Sequence, residues 1–200
     1  SGGYSKDKGL SFDTMDSIFK QAKEMGMYFA VISGGEPFLN PNIVDIFEKH
    51  NDMAFHVFTN GTLLDDKTID RLVKVGNVLP AISIEGYEEY TDKRRGKGHY
   101  KRVIKAMKRC REAGFLFGFS ATYTSENADI VTSDEFIDFF GDQGCVLGWY
   151  FCYVPVGKSP VIKLMPTPEQ RDYLRQRIEY FRDTKPILFG DFWNDGPLVG

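Results

Sequence analysis

The sequence predicts an α/β protein built on a parallel β-sheet, and two observations support this fold class. Apolar segments typical of β-strands alternate with single amphipathic helices along nearly the whole chain of 200 residues. These strand segments lack a clean alternation of apolar and polar residues, as is typical of strands buried on both faces of a parallel sheet. Parallel neighbours also need a crossover connection, which the intervening helices provide.

The first half of the chain is predicted to hold three helices and three strands. Apolar residues at three- and four-residue spacing predict a helix over 12–25, which Gly26 ends. Asn40 and Pro41 supply a cap and a first-turn proline for a second helix, which carries Ile43 and Phe47. A third helix is predicted over 66–75, and the strands are predicted at 28–32, 54–58 and 78–84.

The second half repeats the scheme. A stripe of apolar residues predicts a helix over 99–113, and a further helix is expected near 133–141. Thr167 and Gln170 form the sequence signature of a capping box, so a helix is predicted from there to about residue 183. The strands are predicted at 115–121, 146–154 and 187–189.

Composition limits the classes of function. Hydrophobic residues make up 42% and charged residues 26% of the chain, and the formal net charge is -3, so no nucleic-acid partner is predicted. No segment approaches the ~18 consecutive apolar residues of a membrane span. The polar, glycine-rich start does not resemble a signal peptide, and the protein is predicted to be cytoplasmic with no membrane partner.

The length of 200 residues is typical of a single domain, and one domain is predicted over 1–200. The sequence begins at Ser1 without an initiator methionine and ends at Gly200 in mid-phrase, so we expect a domain truncated at both ends. A basic cluster formed by Lys93, Arg94 and Arg95 is predicted to be a solvated face at a loop and helix start. Only Arg95 is assigned a candidate function.

Cys110, Cys145 and Cys152 are the three cysteines of the chain, and their spacing forms no metal-ligand cluster. Cys110 falls on the apolar side of a predicted helix and Cys152 within a predicted strand, so buried structural thiols are favoured. We therefore predict no metal-binding residues in these 200 residues.

Unusual residues follow the predicted strands and should meet at one rim of the sheet. Gly34, Gly35, Glu36 and Pro37 follow the first strand, where the two glycines allow main-chain groups to approach a ligand. An ordinary turn with a solvated Glu36 explains this segment equally well. Further candidates are Thr59-Asn60-Gly61, Ser83 with Glu85, residues 120–124, and Pro155 with Gly157. Ligands of α/β proteins bind at the carboxyl ends of the strands, which favours a functional rim.

Four of these segments resemble motifs of the radical S-adenosylmethionine (radical SAM) enzymes. Ser33-Gly34-Gly35-Glu36-Pro37 resembles the G-G-E-P motif of that family, and Thr59-Asn60-Gly61 resembles its T-N-G motif. Ser83-Ile84-Glu85-Gly86 resembles S-x-D-G with glutamate in place of aspartate, and the segment 95–100 resembles the R-G-x-G-x-aromatic phrase. The motifs occur in the family's order, and the resemblance covers almost the whole chain.

The resemblance implies a partial (β/α) barrel of six units, with SAM across its carboxyl rim. In the family, the G-G-E-P segment receives the methionyl amino group, and a carboxylate with nearby carbonyls suits an ammonium. Asn60 and Ser83 would bind ribose hydroxyls or the methionyl carboxylate, and Arg95 would pair with that carboxylate, with a surface role as its alternative. The full set of implied cofactor contacts is Gly34, Gly35, Glu36, Pro37, Thr59, Asn60, Ser83, Arg95 and Val154.

The family's C-x3-C-x2-C loop, which binds a 4Fe-4S cluster, does not occur in these 200 residues. Residues 1–5 stand where that loop should end, so the cluster cysteines are expected upstream of Ser1, and the chain alone is predicted to be inactive. In the intact parent, the resemblance implies that an external electron donor and the cluster reduce SAM to a 5'-deoxyadenosyl radical. This radical would abstract hydrogen from an unknown substrate.

The segment at 191–197 resembles the residues that precede an auxiliary, cysteine-bearing region in family members that mature peptides or cofactors. A peptide or a cofactor precursor is therefore one hypothesis for the substrate. Two other functions stay open. One is a non-catalytic SAM-binding or scaffold domain without a cluster. The other is a metal-independent lyase or aldolase, for which Lys158 and Lys163 are the candidate lysines.

Overall fold

The computed structural model describes residues 9–157 and 159–195, and within them the chain forms eight α-helices and six strands. The helices are α1 (Phe12–Glu24), α2 (Ile43–Lys49), α3 (Asp66–Val75), α4 (Glu88–Arg95), α5 (His99–Glu112), α6 (Ala128–Val131), α7 (Asp134–Asp142) and α8 (Pro168–Thr184). The strands are β1 (Phe29–Ile32), β2 (Ala54–Thr59), β3 (Val78–Ile84), β4 (Phe117–Tyr123), β5 (Cys145–Cys152) and β6 (Leu188–Asp191). The sequence predictions for residues 1–5, Lys158 and residues 196–197 lie outside this described part.

The described strands form one parallel sheet, and their order in space follows the chain from β1 to β6. The sheet curls into a half-barrel with helices on its outer face, which confirms the predicted partial (β/α) barrel. Parallel pairing brings the carboxyl ends of all these strands to the same rim. No helix among the described residues is long and apolar enough to cross a membrane.

Local signals explain why several elements begin and end as they do. The Asp65 carboxylate accepts a hydrogen bond from the Thr68 amide at the start of α3, and Gly76 ends that helix in the left-handed conformation. The predicted capping box of α8 is confirmed, because Thr167 and Gln170 exchange side-chain and backbone hydrogen bonds.

Three predictions about elements need correction. The fourth strand begins at Phe117 rather than 115, because the Phe115 amide still donates to the Cys110 carbonyl at the end of α5. Asn40 and Pro41 precede α2 rather than capping it, and the Asn40 side chain instead accepts a hydrogen bond from the Asn42 amide. The sequence analysis missed α4, so its basic cluster lies in the last turn of that helix and not at a helix start.

The core of the described structure lies between the sheet and its helices. Phe55 of β2, for example, packs its ring against Phe19 of α1 and Phe47 of α2, with ring centroids 5.2 and 4.7 Å apart. Phe119 and Tyr150 lie in this same core, with ring centroids 5.8 Å apart. The opposite, concave face of the sheet stays open.

All three cysteines lie within the described residues and carry free thiols. Cys110 is buried in the core, as predicted, and so is Cys145. Cys152, for which burial was also predicted, is only half-buried.

Candidate functional site

The loop after β1 exposes its main chain at the rim. Gly34 adopts a φ of 151°, which side-chain-bearing residues rarely adopt, and a Cβ atom placed there would meet nothing within 4 Å. Gly34 and Gly35 are both exposed. Their backbone polar groups therefore face open space, where a ligand can approach them.

Glu36 ties the loop after β1 to the end of β2. Its Oε1 accepts hydrogen bonds from Thr59 Oγ1 at 2.7 Å and from the Phe38 amide at 3.2 Å, while its Oε2 accepts from the Asn60 amide at 2.6 Å. A carboxylate offers about four lone-pair sites, so three protein donors leave limited capacity for a ligand. The chief role of Glu36 in this structure is to hold the two loops together.

The turn after β2 is built around Gly61. Its φ is 75°, and a Cβ atom there would come within 2.7 Å of Ile82 Cγ2 on the neighbouring strand. The side chain of Asn60 bends back within the same turn, where its Oδ1 accepts from the amide and the hydroxyl of Thr62 at 2.8 and 2.6 Å. Only the amide nitrogen of the Asn60 side chain is therefore left for a ligand.

Polar side chains from β3 and β4 meet on the concave face just below the rim. Ser83 Oγ and Ser120 Oγ lie 3.3 Å apart on neighbouring strands, where the register pairs the two residues. The next inward-facing residue of β4 is Thr122, whose amide donates to Glu85 Oε2 at 3.2 Å. These hydroxyl groups form a small polar surface within an otherwise apolar concave face.

Glu85 is 2% exposed and binds two arginines of α4. Its Oε1 accepts from Nε and Nη2 of Arg95 at 2.9 and 2.5 Å, and its Oε2 accepts from Nη1 of Arg94 at 3.2 Å. A buried carboxylate is stable only when it is paired in this way. The Arg95 guanidinium is thereby held in one orientation by Glu85.

A cavity of about 360 Å³ opens between these strand ends, and we call it the Arg95 cavity. Its wall is formed by hydroxyl groups and one guanidinium at the rim and by apolar side chains of the concave face. The lining residues are Val31, Ser33, Phe58, Ser83, Arg95, Ser120, Thr122, Phe151 and Phe192.

The predicted contacts divide between this cavity and its surroundings. Ser83 and Arg95 line the Arg95 cavity, while the loops holding Glu36 and Asn60 lie at the same rim beside it. Val154 follows β5, and its carbonyl accepts from the Val156 amide at 2.8 Å. Lys163, the candidate for lyase chemistry, lies in a short exposed turn well beyond the end of β5 rather than on a strand end.

Comparison with known proteins identifies the family. The family model described as the Radical SAM superfamily matches residues 2–136, which is more than half of the chain. The chain belongs to the radical SAM superfamily.

Two curated relatives of the chain are both longer than the chain itself. An AdoMet-dependent heme synthase of Methanosarcina barkeri is 28% identical over 154 residues, which cover 75% of this chain and 44% of that protein. Mycofactocin maturase MftC of Mycobacterium tuberculosis is 26% identical over 147 residues, which cover 71% and 37%. The chain thus spans less than half the length of either relative.

A solved structure confirms the radical SAM fold of the chain. SuiB of Streptococcus suis, bound to S-adenosylmethionine, aligns with a TM-score of 0.78 and 20% identity over 94% of this chain and 45% of that one. The structure of anSMEcpe with bound AdoMet aligns with a TM-score of 0.71 and 18% identity over 94% and 57%.

The described residues do not suit the iron–sulfur cluster of radical SAM enzymes. They contain no group of three histidine, cysteine or acidic side chains that could hold a metal ion. Cluster ligands are thiolates, but burial raises the pKa of the Cys110 thiol to about 12 and raises that of Cys145 as well.

Sequence reasoning did not single out three residues that build this rim. Ser120 and Thr122 were recognised only as part of a polar strand end. Asn127 is buried, and its side-chain amide donates to the carbonyls of Glu85 and Thr122 at 2.8 and 3.1 Å, which joins the ends of β3 and β4. The available signal was an asparagine at the start of a helix, where such residues commonly bind nearby backbone groups.

Proposed function

We propose that this chain is the SAM-binding part of a radical SAM enzyme and that SAM lies in the Arg95 cavity and along the Gly34-Gly35 loop. The observation that carries the proposal is the arrangement of Ser83 and Arg95 in one cavity beside that loop. Structural neighbours with bound SAM share the fold, which supports the same placement. Bound SAM supplies a carbon-centred radical for hydrogen abstraction in this superfamily.

The loop after β1 would receive the methionyl ammonium. An ammonium has only donors, so it requires acceptors, and the exposed carbonyls near Gly34 and Gly35 are available at the rim. Glu36 contributes its negative charge and its remaining lone pair, while Pro37 and Thr59 hold the loop in place. A substitution of Glu36 would therefore disturb both the charge and the loop.

Arg95 would bind the methionyl carboxylate. Its bonds to Glu85 use Nε and Nη2, so we assign Nη1 to the cofactor. Because Glu85 orients the guanidinium beforehand, SAM would not have to immobilise a long flexible side chain on binding. Ser83, Ser120 and Asn60 would donate to the ribose hydroxyls or to the same carboxylate, and the main chain near Val154 would contact adenine.

The substrate of the intact protein is proposed to be a peptide or a cofactor precursor. The relatives include a heme synthase and a mycofactocin maturase, and the SuiB fold neighbour has been solved with its precursor peptide SuiA. The proposal includes a 4Fe-4S cluster held outside these 200 residues, an external electron donor and a cytoplasmic location.

Calorimetric titration of SAM into the purified chain tests the binding proposal. Saturable binding is expected, and Arg95→Gln and Ser83→Ala should weaken it, the former by about tenfold or more, since charge-assisted bonds to a carboxylate are lost. Arg102→Gln removes an exposed arginine of α5 and should leave the affinity unchanged. Equal affinities in all four proteins, or no binding, would contradict the placement.

A second experiment separates an enzyme from the alternative, a cluster-less SAM-binding or scaffold domain. The protein encoded by the complete gene should be purified without oxygen and assayed for iron, sulfide and 5'-deoxyadenosine formed from SAM under a reductant. About four irons per chain and 5'-deoxyadenosine are expected for the enzyme. SAM binding without iron or product would establish the non-catalytic alternative.

A further inference from the structure

A second cavity lies next to the Arg95 cavity, and its volume is about 410 Å³. We call it the Lys163 cavity. Glu85 lines the Lys163 cavity and connects the two walls, because it is bonded to Arg94 of this cavity and to Arg95 of the neighbouring one. The lining residues are Glu85, Tyr90, Lys93, Arg94, Thr124, Glu126, Asn127, Tyr153, Lys163 and Leu164.

The wall of the Lys163 cavity is held together by hydrogen bonds between loops distant in sequence. Ser125, just after β4, donates its hydroxyl to the Lys163 carbonyl at 2.6 Å and its amide to the Leu164 carbonyl at 3.0 Å. The hydroxyl of Tyr153 accepts from the Val161 amide at 3.2 Å. The segment that carries Lys163 is therefore fixed against the rim by its backbone, and Lys163 itself lines the cavity.

The charges of this wall are unbalanced in favour of cations. Glu85 is shared by two arginines. The Lys93 ammonium, bonded to Glu126 at 2.5 Å, lowers the pKa of that carboxyl group, and the positive charge of Lys163 lowers it further. When Arg95 of the neighbouring cavity is included, two carboxylates face four cations, although the chain as a whole carries a formal charge of -3.

The excess of positive charge in the Lys163 cavity is small. Three cations and two carboxylates line its wall, and one of these carboxylates, Glu85, is also paired with Arg95. Arg95 itself lies in the neighbouring cavity, where we have assigned it to the cofactor. Glu89, one turn before Lys93 in α4, reduces the excess slightly but does not line the cavity. The cavity therefore suits a single negative charge.

We propose that the Lys163 cavity is a substrate subsite that binds one carboxylate group on an apolar stem. Lys163 and Arg94 would pair with the carboxylate, and the ring of Tyr90 and the side chain of Leu164 would contact the stem. This inference rests on the proposed function, since it places the substrate carboxylate in the cavity adjoining that of SAM. Because Glu85 connects the cavities, the substrate anion would lie one side chain away from the cofactor.

The test uses two matched probes and the ¹⁵N-labelled chain. N-acetyl-glutamate α-amide carries one carboxylate, and N-acetyl-glutamine α-amide is its neutral isostere. Saturable shifts of the Thr124, Glu126 and Asn127 amide signals are expected with the first probe, and binding of the second should be weaker by about fivefold or more. Equal binding of the two probes, or no saturable shift, would overturn the proposal.

Two variants with opposite expected effects on affinity make the test independent of folding defects, because a misfolded protein would not bind more tightly. Lys163→Gln should weaken binding of the carboxylate probe about fivefold, whereas Glu126→Gln should tighten it about threefold, because Lys93 is released to the ligand. Lys105→Gln, on the exposed face of α5, is the control and should not change the affinity. A Glu126→Gln protein that binds no more tightly than the original would count against the site, as would inorganic phosphate binding more tightly than the carboxylate probe.

A separate titration with SAM, read at the Gly34 and Gly35 amides, keeps the two proposals distinguishable. Shifts with both ligands support both proposals. Shifts with SAM alone overturn the carboxylate subsite and leave the cofactor site standing. Shifts with the carboxylate probe alone overturn the cofactor site and show an anion site that does not serve a SAM enzyme.

Discussion

The two faces of the sheet use the same kind of residue for different purposes. Phe55 of β2 points outward to the helices and is 1% exposed, whereas Phe29 of neighbouring β1 lies on the concave face and is 63% exposed. The outer face is a packed core that stabilises the fold. The concave face keeps its apolar surface open, which a stable core would not do but a binding surface requires.

The concave face is itself divided along the strands. Its lower part is aromatic, and the rings of His56 and Phe58 lie 4.8 Å apart while those of Trp149 and Phe151 lie 6.4 Å apart. Its upper part, at the carboxyl rim, carries the hydroxyls of Ser83 and Ser120. Apolar and polar surfaces are thus adjacent, as is usual in sites that bind small organic ligands.

The largest expected effect compares the same substitution on the two faces. Phe55→Ala should lower the free energy of unfolding by about 3–5 kcal/mol, because it leaves a cavity against Phe19 and Phe47. Phe29→Ala should change it by less than about 1 kcal/mol, since the ring is mostly exposed. Urea unfolding followed by circular dichroism measures both values. Similar losses in the two variants would show that the concave face is a second core.

A smaller effect is expected at the rim, where Glu85 is the most deeply buried acidic group of the site. Glu85→Gln should lower the free energy of unfolding by about 1–3 kcal/mol, because two charge-assisted pairs become neutral while water still reaches the two arginines. Glu112→Gln is the control, since Glu112 and its partner Lys108 are exposed, and it should change stability by less than about 0.5 kcal/mol. If both variants behave alike, Glu85 does not stabilise the rim.

The smallest effect is a pH dependence of the concave face. Burial lowers the pKa of His56 below its ordinary value of 6.5, although a hydrogen bond between Nδ1 and the Leu79 carbonyl opposes the shift. The folded state therefore holds the ring neutral. The unfolded chain binds the proton of His56 more readily than the folded chain does. The stability that neutral His56 contributes above pH 6.5 is therefore lost as the pH falls from 6.5 to the lower pKa of the folded state.

Comparison of the original protein with His56→Gln isolates this contribution. The difference in unfolding free energy between the two should be smaller at pH 5.5 than at pH 7.5, by about 0.5–1 kcal/mol, since one pKa unit corresponds to about 1.4 kcal/mol. Urea unfolding at both pH values measures it, and the other titrating groups cancel in the difference. A difference that does not change with pH would mean that His56 is protonated equally in both states.

Most of the fold could be predicted because its signals are local. The bounds of α3 and β3 agree with the prediction, since apolar spacing and the left-handed Gly76 define both within a few residues. The helix α4 was missed because only Thr91 is buried among its residues, so no apolar stripe marks it. Its one sequence signal was charge, acidic in the first turn and basic in the last, which favours a helix through its dipole.

The candidate site could be placed at the rim of the sheet from the sequence, but the contacts between its residues could not be predicted. The polar residues at the strand ends identified the rim, because parallel strands bring those ends together. The pairing of Glu85 with Arg95 could not be predicted, since the two are ten positions apart and meet only when α4 folds between them. For the same reason, the position of Arg94 and Lys163 in one cavity could not be predicted.

The order of the strands has a consequence for how the chain folds. Each strand from β2 to β6 pairs with the strand that precedes it in the sequence, so none of these pairings has to wait for a distant segment. Closing a short loop costs less conformational entropy than closing a long one, and topologies rich in local contacts fold faster. During synthesis, each newly emerged strand would find its partner already made. The sheet can therefore grow in the direction of translation, one strand and one helix at a time.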